Sequence, residues 1–283
     1  MTPMLLERLT HFTLLGIRFW DAALDRPVAA GLTVTAWPTA APRQVRRAVR
    51  TASGVYAFHG LPGMRRLEQA TAADILAASP PDITSFVVAV ADAQRRFFPV
   101  AFEVSLPLPD LGVFPTAVST SPPGSPGFYL FSAPTRAPAP GLAVVRAQLV
   151  EAGSQQPAAY AVVEAEVRGH THYAIADARG ALALLFPYPL FVSALGASPP
   201  GGLPLAEQQW PLTLRVRYQP AAQAPLPGTP LPALASLFAQ PAATIWPSTA
   251  GTAVSQLTFD LLFGQELVLR TGAESTLWIT PPP

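Results

Sequence analysis

The amino-acid sequence predicts an all-β protein made of two β-sandwich domains with one or two short helices. Short runs of alternating apolar and polar residues recur along the chain, and this period of two is typical of half-buried strands. Turns rich in Gly, Pro and Asp separate these runs, and the chain holds 34 Pro and 19 Gly. Two long Pro-rich segments divide the runs into groups, which favours two domains with extended connections over one continuous sheet.

The first group of runs predicts an N-terminal β-sandwich over residues 1–106. Its strongest run has the sequence FTLLGIRFW, and the alternating run LTVTAW follows after a turn. Residues 71–78 predict a short helix, because Thr71 can cap its start and Pro80 and Pro81 stop it. The strands are predicted at residues 12–20, 32–37, 55–58, 86–91 and 97–106.

Residues 107–140 form a Pro-rich linker that also carries aromatic side chains. A solvated linker does not need such side chains, so we expect this segment to lie extended as an arm against a surface of this chain or of a partner. Its anchor is the run Phe128, Tyr129, Leu130 and Phe131.

The second group of runs predicts a C-terminal β-sandwich over residues 141–283. Four runs within residues 142–189 predict a β-meander, and the run WPLTLRVRY shows one buried face. A Pro-rich insertion at residues 219–247 contains LPALASLFAQ, which favours a short helix. Three further strands are predicted at residues 257–263, 266–270 and 275–280.

Two stretches resemble carboxypeptidase-regulatory-like and transthyretin-like sandwiches. One reads A-V-V-E-A followed by I-A-D-A-R-G, where Asp177 and Gly180 match the hairpin turn of those domains. The other reads S-G-V-Y-A-F-H-G-L-P-G in the first half. The resemblance implies two Ig-like or transthyretin-like sandwiches, and it implies a non-catalytic accessory role.

Composition excludes several classes of function. The chain has 18 basic residues against 17 acidic ones, so its net charge of +1 gives no field that would attract nucleic acid. Charged residues make up 12% of the chain and hydrophobic residues 50%, which favours large buried surfaces against other subunits. Without Cys there is no disulfide framework and no thiolate site. We expect no signal peptide and no membrane insertion, with synthesis and assembly in the cytoplasm before any particle is released or docked on a membrane.

Arginine clusters stand out in the first third of the sequence. All basic residues are Arg, and they concentrate at Arg43, Arg46, Arg47 and Arg50, with further pairs at residues 65–66 and 95–96. A solvated or interface strand face is the favoured interpretation, and a dedicated anion site is the alternative.

Candidate catalytic and metal residues are few. His170 and His172 stand two apart on a predicted strand and therefore point to the same side, where they are weak candidates for a metal site with Asp177 or Glu166 as third ligand. No nucleophile turn or phosphate loop is recognisable. We expect no cofactor and no enzymatic activity.

The sequence therefore predicts a non-catalytic structural subunit of a large multiprotein assembly, whose partners are other protein subunits. Residues 96–107, 132–150 and 176–189 resemble proteins from gene clusters for contractile, phage-tail-like injection particles, which implies a baseplate or accessory position. The alternative is a carbohydrate- or cell-surface-binding module. The predicted interaction residues are Phe128, Tyr129, Leu130, Phe131, Leu237, Phe238 and Trp246.

Overall fold

The computed structural model describes residues 13–28, 30–70, 83–107, 127–189 and 207–283, and it confirms the predicted all-β fold class. The helical segments with bounds within these residues are short: α1 (Arg65–Glu68), a 3-10 turn (Pro220–Ala222) and α2 (Leu234–Phe238). The helix expected at residues 71–78 lies outside the described residues. Within the described ranges, no helix has both the length and the apolar character needed to span a membrane.

The first sandwich packs two sheets face to face. One sheet runs in the order β2-β1-β6-β5, with β9 also paired to β1, and the other runs β4-β3-β7-β8. Its strands are β1 (Gly16–Asp21), β2 (Arg26–Pro27), β3 (Leu32–Pro38), β4 (Arg46–Arg47), β5 (Val49–Arg50), β6 (Val55–Ala57), β7 (Thr84–Asp92), β8 (Val100–Leu106) and β9 (Phe128–Leu130).

Strand β9 comes from the end of the Pro-rich segment and returns to the first sandwich. It pairs in parallel with the second half of β1, where Phe19 lies opposite Phe128 and Asp21 lies opposite Leu130. The first sandwich therefore does not end at residue 106, because a strand supplied more than 20 residues later along the chain belongs to one of its sheets.

The second sandwich is one sheet folded over on itself. Its strands follow the order β12-β11-β14-β15-β18-β10-β13, with β16 paired to β14 and β17 paired to β10. They are β10 (Leu142–Glu151), β11 (Val162–Val167), β12 (His170–Ile175), β13 (Ala181–Pro187), β14 (Gln209–Arg217), β15 (Ala242–Ile245), β16 (Leu257–Leu262), β17 (Glu266–Leu269) and β18 (Leu277–Thr280).

The β-meander predicted for residues 142–189 is wrong in its connections, although its four strands exist. β10 pairs with β13, whereas β11 pairs with β12, so the chain crosses between the two layers of the sandwich. The alternation of apolar and polar residues predicts which side chains of a strand are buried. It does not predict which other strand pairs with it through backbone hydrogen bonds. The Asp177 turn is as expected, since Asp177 Oδ1 accepts hydrogen bonds from the N–H groups of Arg179 at 2.8 Å and Ala181 at 3.0 Å.

Each sandwich has its own apolar core, and the two cores meet. β14 shows the expected alternation, with Trp210, Leu212, Leu214 and Val216 buried. The core of the first sandwich also contains side chains from the second half of the chain, which are Val162, Ile175, Leu234 and Leu237. An isolated parallel bridge between Ala101 and Ala233 joins the same two regions. The sandwiches are therefore in direct contact through buried apolar surface.

Candidate functional site

The aromatic run at the end of the Pro-rich segment lies in the core of the first sandwich. Phe128, Leu130 and Phe131 are 3% exposed or less, while Tyr129 is partly buried. The Phe128 ring stacks on Phe102 of β8 with centroids 4.4 Å apart. Burying rings of this size stabilises a fold mainly through apolar area. The aromatic run thus lies against the chain's own surface, and its buried rings are not available to a partner in this fold. Residues 108–126 of the predicted arm lie outside the described residues.

Helix α2 places the next two predicted interaction residues between the sandwiches. Leu237 is 2% exposed and belongs to the core of the first sandwich. The Phe238 ring lies 5.4 Å from Phe131 and 5.5 Å from Tyr173 between centroids, so it contacts one ring from each sandwich. These side chains do make an interface, but the surface they contact belongs to the same chain.

Trp246 is the last of the predicted interaction residues, and it follows directly after β15. Its indole is partly buried, and Nε1 donates a hydrogen bond to Thr280 Oγ1 at 2.9 Å. Its carbonyl oxygen accepts a 2.8 Å hydrogen bond from the Thr271 hydroxyl. Trp246 therefore stabilises the corner where β15 and β18 join the two layers, and part of its ring remains accessible.

A buried ion pair fastens the returning arm to the first sandwich. The Arg136 guanidinium donates to both carboxylate oxygens of Asp21, at 2.9 and 2.6 Å. The side chains of Arg136 and Asp21 are 7% and 6% exposed. Arg136 also donates to Ser132 Oγ at 3.2 Å, and its guanidinium carbon lies 5.0 Å from the centre of the Phe97 ring. Buried charges require this degree of pairing, because removing either partner leaves the other desolvated.

Arg146 ties the same arm to the second sandwich. From β10, its guanidinium donates to the carbonyl oxygens of Pro134 at 2.5 Å and Arg136 at 3.3 Å. It also forms a 3.2 Å ion pair with Glu266 of β17. The segment between the sandwiches is therefore bound on both sides. Its own Arg136 binds the first sandwich, and Arg146 of the second sandwich binds the segment. We call Asp21, Arg136 and Arg146, with the ring of Phe238, the joint.

The histidine pair does not form a metal site within the described residues, where no group of three His, Asp or Glu side chains is placed to hold an ion. His172 stacks on Phe186 with ring centroids 4.3 Å apart, while His170 is exposed at the start of β12. Burial, and then the neighbouring charge of His170, lower the pKa of His172 to about 4. His172 is therefore a neutral packing residue at neutral pH.

A polar cleft of about 400 Å³ opens beside β11 and β14. Arg217 forms a 2.6 Å ion pair with Glu164 across the two strands, and Arg215 pairs with Glu166 at 3.3 Å. Burial and the Glu164 carboxylate raise the pKa of Tyr173, which lies on the adjacent strand. The cleft can offer guanidinium and carboxylate groups to a polar ligand.

Most of the predicted arginine clusters lie on and around β4 and β5 of the first sandwich. The pair Arg95 and Arg96 lies instead between β7 and β8, where Arg96 forms a 2.9 Å ion pair with Asp92. β4 and β5 are edge strands of the two sheets of this sandwich. The arginines on and around them are exposed, and so are Val45 and Val49, at 46% and 61%. We call the arginine side chains at this place the basic edge, which consists of Arg43, Arg46, Arg47, Arg50, Arg65 and Arg66.

Sequence reasoning missed the joint, although one signal pointed to it. Arg136 is the only charged residue between Asp110 and Arg146, within a Pro-rich and apolar run. A charge alone in such a run needs a partner if the run is buried. Its partner Asp21 lies 115 residues away, which no local pattern connects to it.

The fold and the joint define a two-sandwich β-protein whose domains are fastened by polar and aromatic contacts. No family model matches the chain, and no curated protein matches it.

Among solved structures, the chain is similar to the TIE protein of Bacillus anthracis, with 7% identity over 95% of this chain and 34% of that one, at a TM-score of 0.26. It is similar to BcpA, the major pilin subunit of Bacillus cereus, with 9% identity over 94% of this chain and 59% of that one, at a TM-score of 0.22. It is also similar to the shaft pilin SpaA of Lactobacillus rhamnosus GG, with 7% identity over 97% of this chain and 99% of that one, at a TM-score of 0.24. The chain thus spans 34% and 59% of the first two proteins, which is less than two thirds of each, and TM-scores at this level assign no function.

Proposed function

We propose that this chain is a non-catalytic structural subunit of a large multiprotein assembly. The observation that carries the proposal is the joint, in which Asp21, Arg136 and Arg146 hold both sandwiches to one connecting segment. A buried bidentate ion pair and an aromatic contact resist separation of domains far better than a solvated linker does. A fastened pair of sandwiches suits a protein that must hold a fixed distance between neighbouring subunits.

Within this proposal, the assembly is a contractile, phage-tail-like injection particle, and the chain occupies a baseplate or accessory position. Support for this finer statement comes from the sequence resemblance of residues 96–107, 132–150 and 176–189. Residues 132–150 contain Arg136 and Arg146, so part of the resemblance coincides with the joint.

Affinity purification of the tagged protein from its host at native expression level tests the proposal. Mass spectrometry of the eluate and negative-stain imaging should find sheath, tube and baseplate proteins in rod-shaped particles. As a control, the tagged protein is expressed in a host that lacks the gene cluster, where it should elute without partner proteins. Recovery of a monomer without particles from the native host would contradict the assembly role.

A second candidate function is favoured by the polar cleft. Its lining includes Glu164, Arg215, Arg217, Gln240 and Ser255, and side chains of these types hydrogen-bond to sugar hydroxyl or carboxylate groups. We propose this carbohydrate- or cell-surface-binding role as the alternative. Screening the purified monomer on a glycan array tests it, with Arg217→Ala as the variant that should lose binding. No glycan binding by the monomer would count against this alternative.

A further inference from the structure

The first and the last described strand of each sandwich lie side by side and run in the same direction. In the first sandwich, β1 pairs in parallel with β9 over three residue pairs. In the second sandwich, β10 pairs in parallel with β18, again over three residue pairs. The two sandwiches have different strand orders and still share this arrangement. It therefore occurs twice, independently, in one chain.

A backbone hydrogen bond closes each of these parallel pairs where its first strand ends. The N–H of Ala22, directly after β1, donates to the carbonyl oxygen of Leu130 at 3.3 Å. The N–H of Ala152, directly after β10, donates to the carbonyl oxygen of Ile279 at 2.8 Å. We call each parallel pair, together with its closing bond, a clamp. The first clamp consists of β1 and β9, and the second clamp consists of β10 and β18.

The direction of the strands decides how a clamp responds to tension along the chain. Such tension pulls β1 at its N-terminal end and pulls β9 at its C-terminal end, towards β10. Because the two strands are parallel, these ends lie at opposite edges of the pair, and the tension slides one strand along the other. All hydrogen bonds of the clamp are then loaded together instead of one after another. β10 and β18 are loaded in the same way, because they are also parallel.

The joint connects the two clamps in series. Asp21 ends β1, and its ion pair with Arg136 reaches the segment that follows β9, so this pair bridges the first clamp by a second contact. Arg146 of β10 binds the same segment through two carbonyl oxygens. Load therefore passes from β1 through the connecting segment to β10 and β18. Residues 22–127, which include the basic edge, and residues 152–276 lie outside this path.

We propose that this chain bears tension along its backbone and that the two clamps carry the tension in shear. This function goes beyond holding neighbouring subunits at a fixed distance, because it makes the protein strongest in one direction. It does not depend on which assembly contains the chain, and it is tested on the isolated protein. The inference can therefore fail while the particle purification succeeds, and the reverse also holds.

Single-molecule force spectroscopy on the full chain, fused at both ends to marker domains, measures this strength. Each clamp should rupture in one event, so two force peaks are expected. Rupture of the first clamp frees residues 22–127, which extend to about 360 Å, and rupture of the second frees residues 152–276, which extend to about 425 Å. Gradual extension without these two peaks would overturn the proposal.

The direction of pulling separates shear from general stability. Because the chain has no Cys, two introduced Cys define where the handles attach. Pro140→Cys with Pro283→Cys, both at exposed positions, loads the second clamp in shear. Ser154→Cys with Pro283→Cys instead pulls the C-terminal ends of β10 and β18, which lie at the same edge, and unzips the same bonds. Shear should need about threefold more force than unzipping, because three residue pairs share the load instead of one. Equal forces in the two directions would overturn the proposal.

Two proline substitutions target the closing bonds. Ala22→Pro and Ala152→Pro each delete the N–H donor of one clamp. Forced unfolding is governed by the unfolding rate, so each variant should rupture its own clamp about fivefold faster at a given force, the value of one hydrogen bond. Ala178→Pro is the matched control, because it places proline at the second position of the Asp177–Gly180 turn, where proline is favoured and which lies outside both clamps.

Far-UV circular dichroism verifies that each proline variant is folded. The control variant should rupture both clamps at the wild-type rate. If Ala22→Pro and Ala152→Pro also rupture at the wild-type rate, the clamps do not bear the load and the proposal fails.

Discussion

Removal of the buried carboxylate at the joint should strongly destabilise the protein. In Asp21→Ala, Arg136 loses two hydrogen bonds, of 2.9 and 2.6 Å, and keeps only Ser132 and the Phe97 ring as partners at that site. The guanidinium stays 7% exposed, so water cannot replace the carboxylate without opening the arm. Breaking a buried pair on one side costs about 3–5 kcal/mol. We expect a loss of this size in the free energy of unfolding.

Urea denaturation followed by far-UV circular dichroism measures this loss, and an exposed pair provides the matched control. Glu166→Ala breaks the ion pair with Arg215, whose side chains are 42% and 45% exposed, and should cost about 0–1 kcal/mol. The double variant Asp21→Leu with Arg136→Met should recover most of the stability, because no charge is left unpaired. If Asp21→Ala costs no more than Glu166→Ala, the ion pair does not fasten the arm.

Three other substitutions follow from the same structure and the same denaturation assay. Gly180→Ala should lower the free energy of unfolding more than Gly264→Ala. Both glycines have positive φ, 81° and 72°, which costs alanine about 1–2 kcal/mol. Only at Gly180 would the new Cβ also meet neighbouring backbone atoms. Trp37→Phe should cost about 1 kcal/mol, because it removes the 2.8 Å hydrogen bond from the indole to the Pro227 carbonyl oxygen. Burial lowers the pKa of His172 from 6.5 to about 4, so the unfolded chain takes up a proton below pH 6.5 that the folded chain takes up only near pH 4. The free energy of unfolding should therefore be highest above pH 6.5 and should fall by up to about 3 kcal/mol as the pH drops towards 4. His172→Phe should remove this dependence of stability on pH.

Each of these expectations has a result that would contradict it. Equal costs for the two glycine variants would mean that the chain relaxes around a Cβ at Gly180. A Trp37→Phe variant as stable as the wild type would mean that Pro227 finds another donor. His59 is exposed, so His59→Gln should keep the pH dependence. If His172→Phe keeps it as well, another group is responsible.

The sequence predicted strands well wherever one face of the strand is buried. Residues 210–218 were expected as a strand with one buried face, and β14 covers Gln209–Arg217 with that alternation. The turn at Asp177 was likewise expected, because Asp and Gly favour it for local reasons. β4 and β5 escaped prediction, since their residues are all exposed and show no alternation.

The sequence does not predict pairings between residues that are far apart along the chain, and the reason is different. β9 has three residues, and its partner β1 lies more than 100 residues earlier. The same holds for the joint, where Asp21 and Arg136 stand 115 residues apart along the chain. Local patterns predict that a side chain is buried, but they do not say against what. For this reason the sequence left open whether the aromatic run contacts this chain or a partner, and the structure places Phe128, Leu130 and Phe131 in the chain's own core.

The parallel pairing of β9 with β1 also constrains how this protein is made. A ribosome synthesises the chain from its N-terminus, and early domains generally fold first. Here, the first 106 residues emerge without the strand that pairs with residues 19–21 of β1, so that part of β1 must wait until Phe128–Leu130 has left the ribosome. We expect the nascent first domain to expose part of β1 during this interval. An expression fragment should therefore extend past Arg136, because one that stops at residue 106 would have an incomplete sheet and an unpaired buried Asp21.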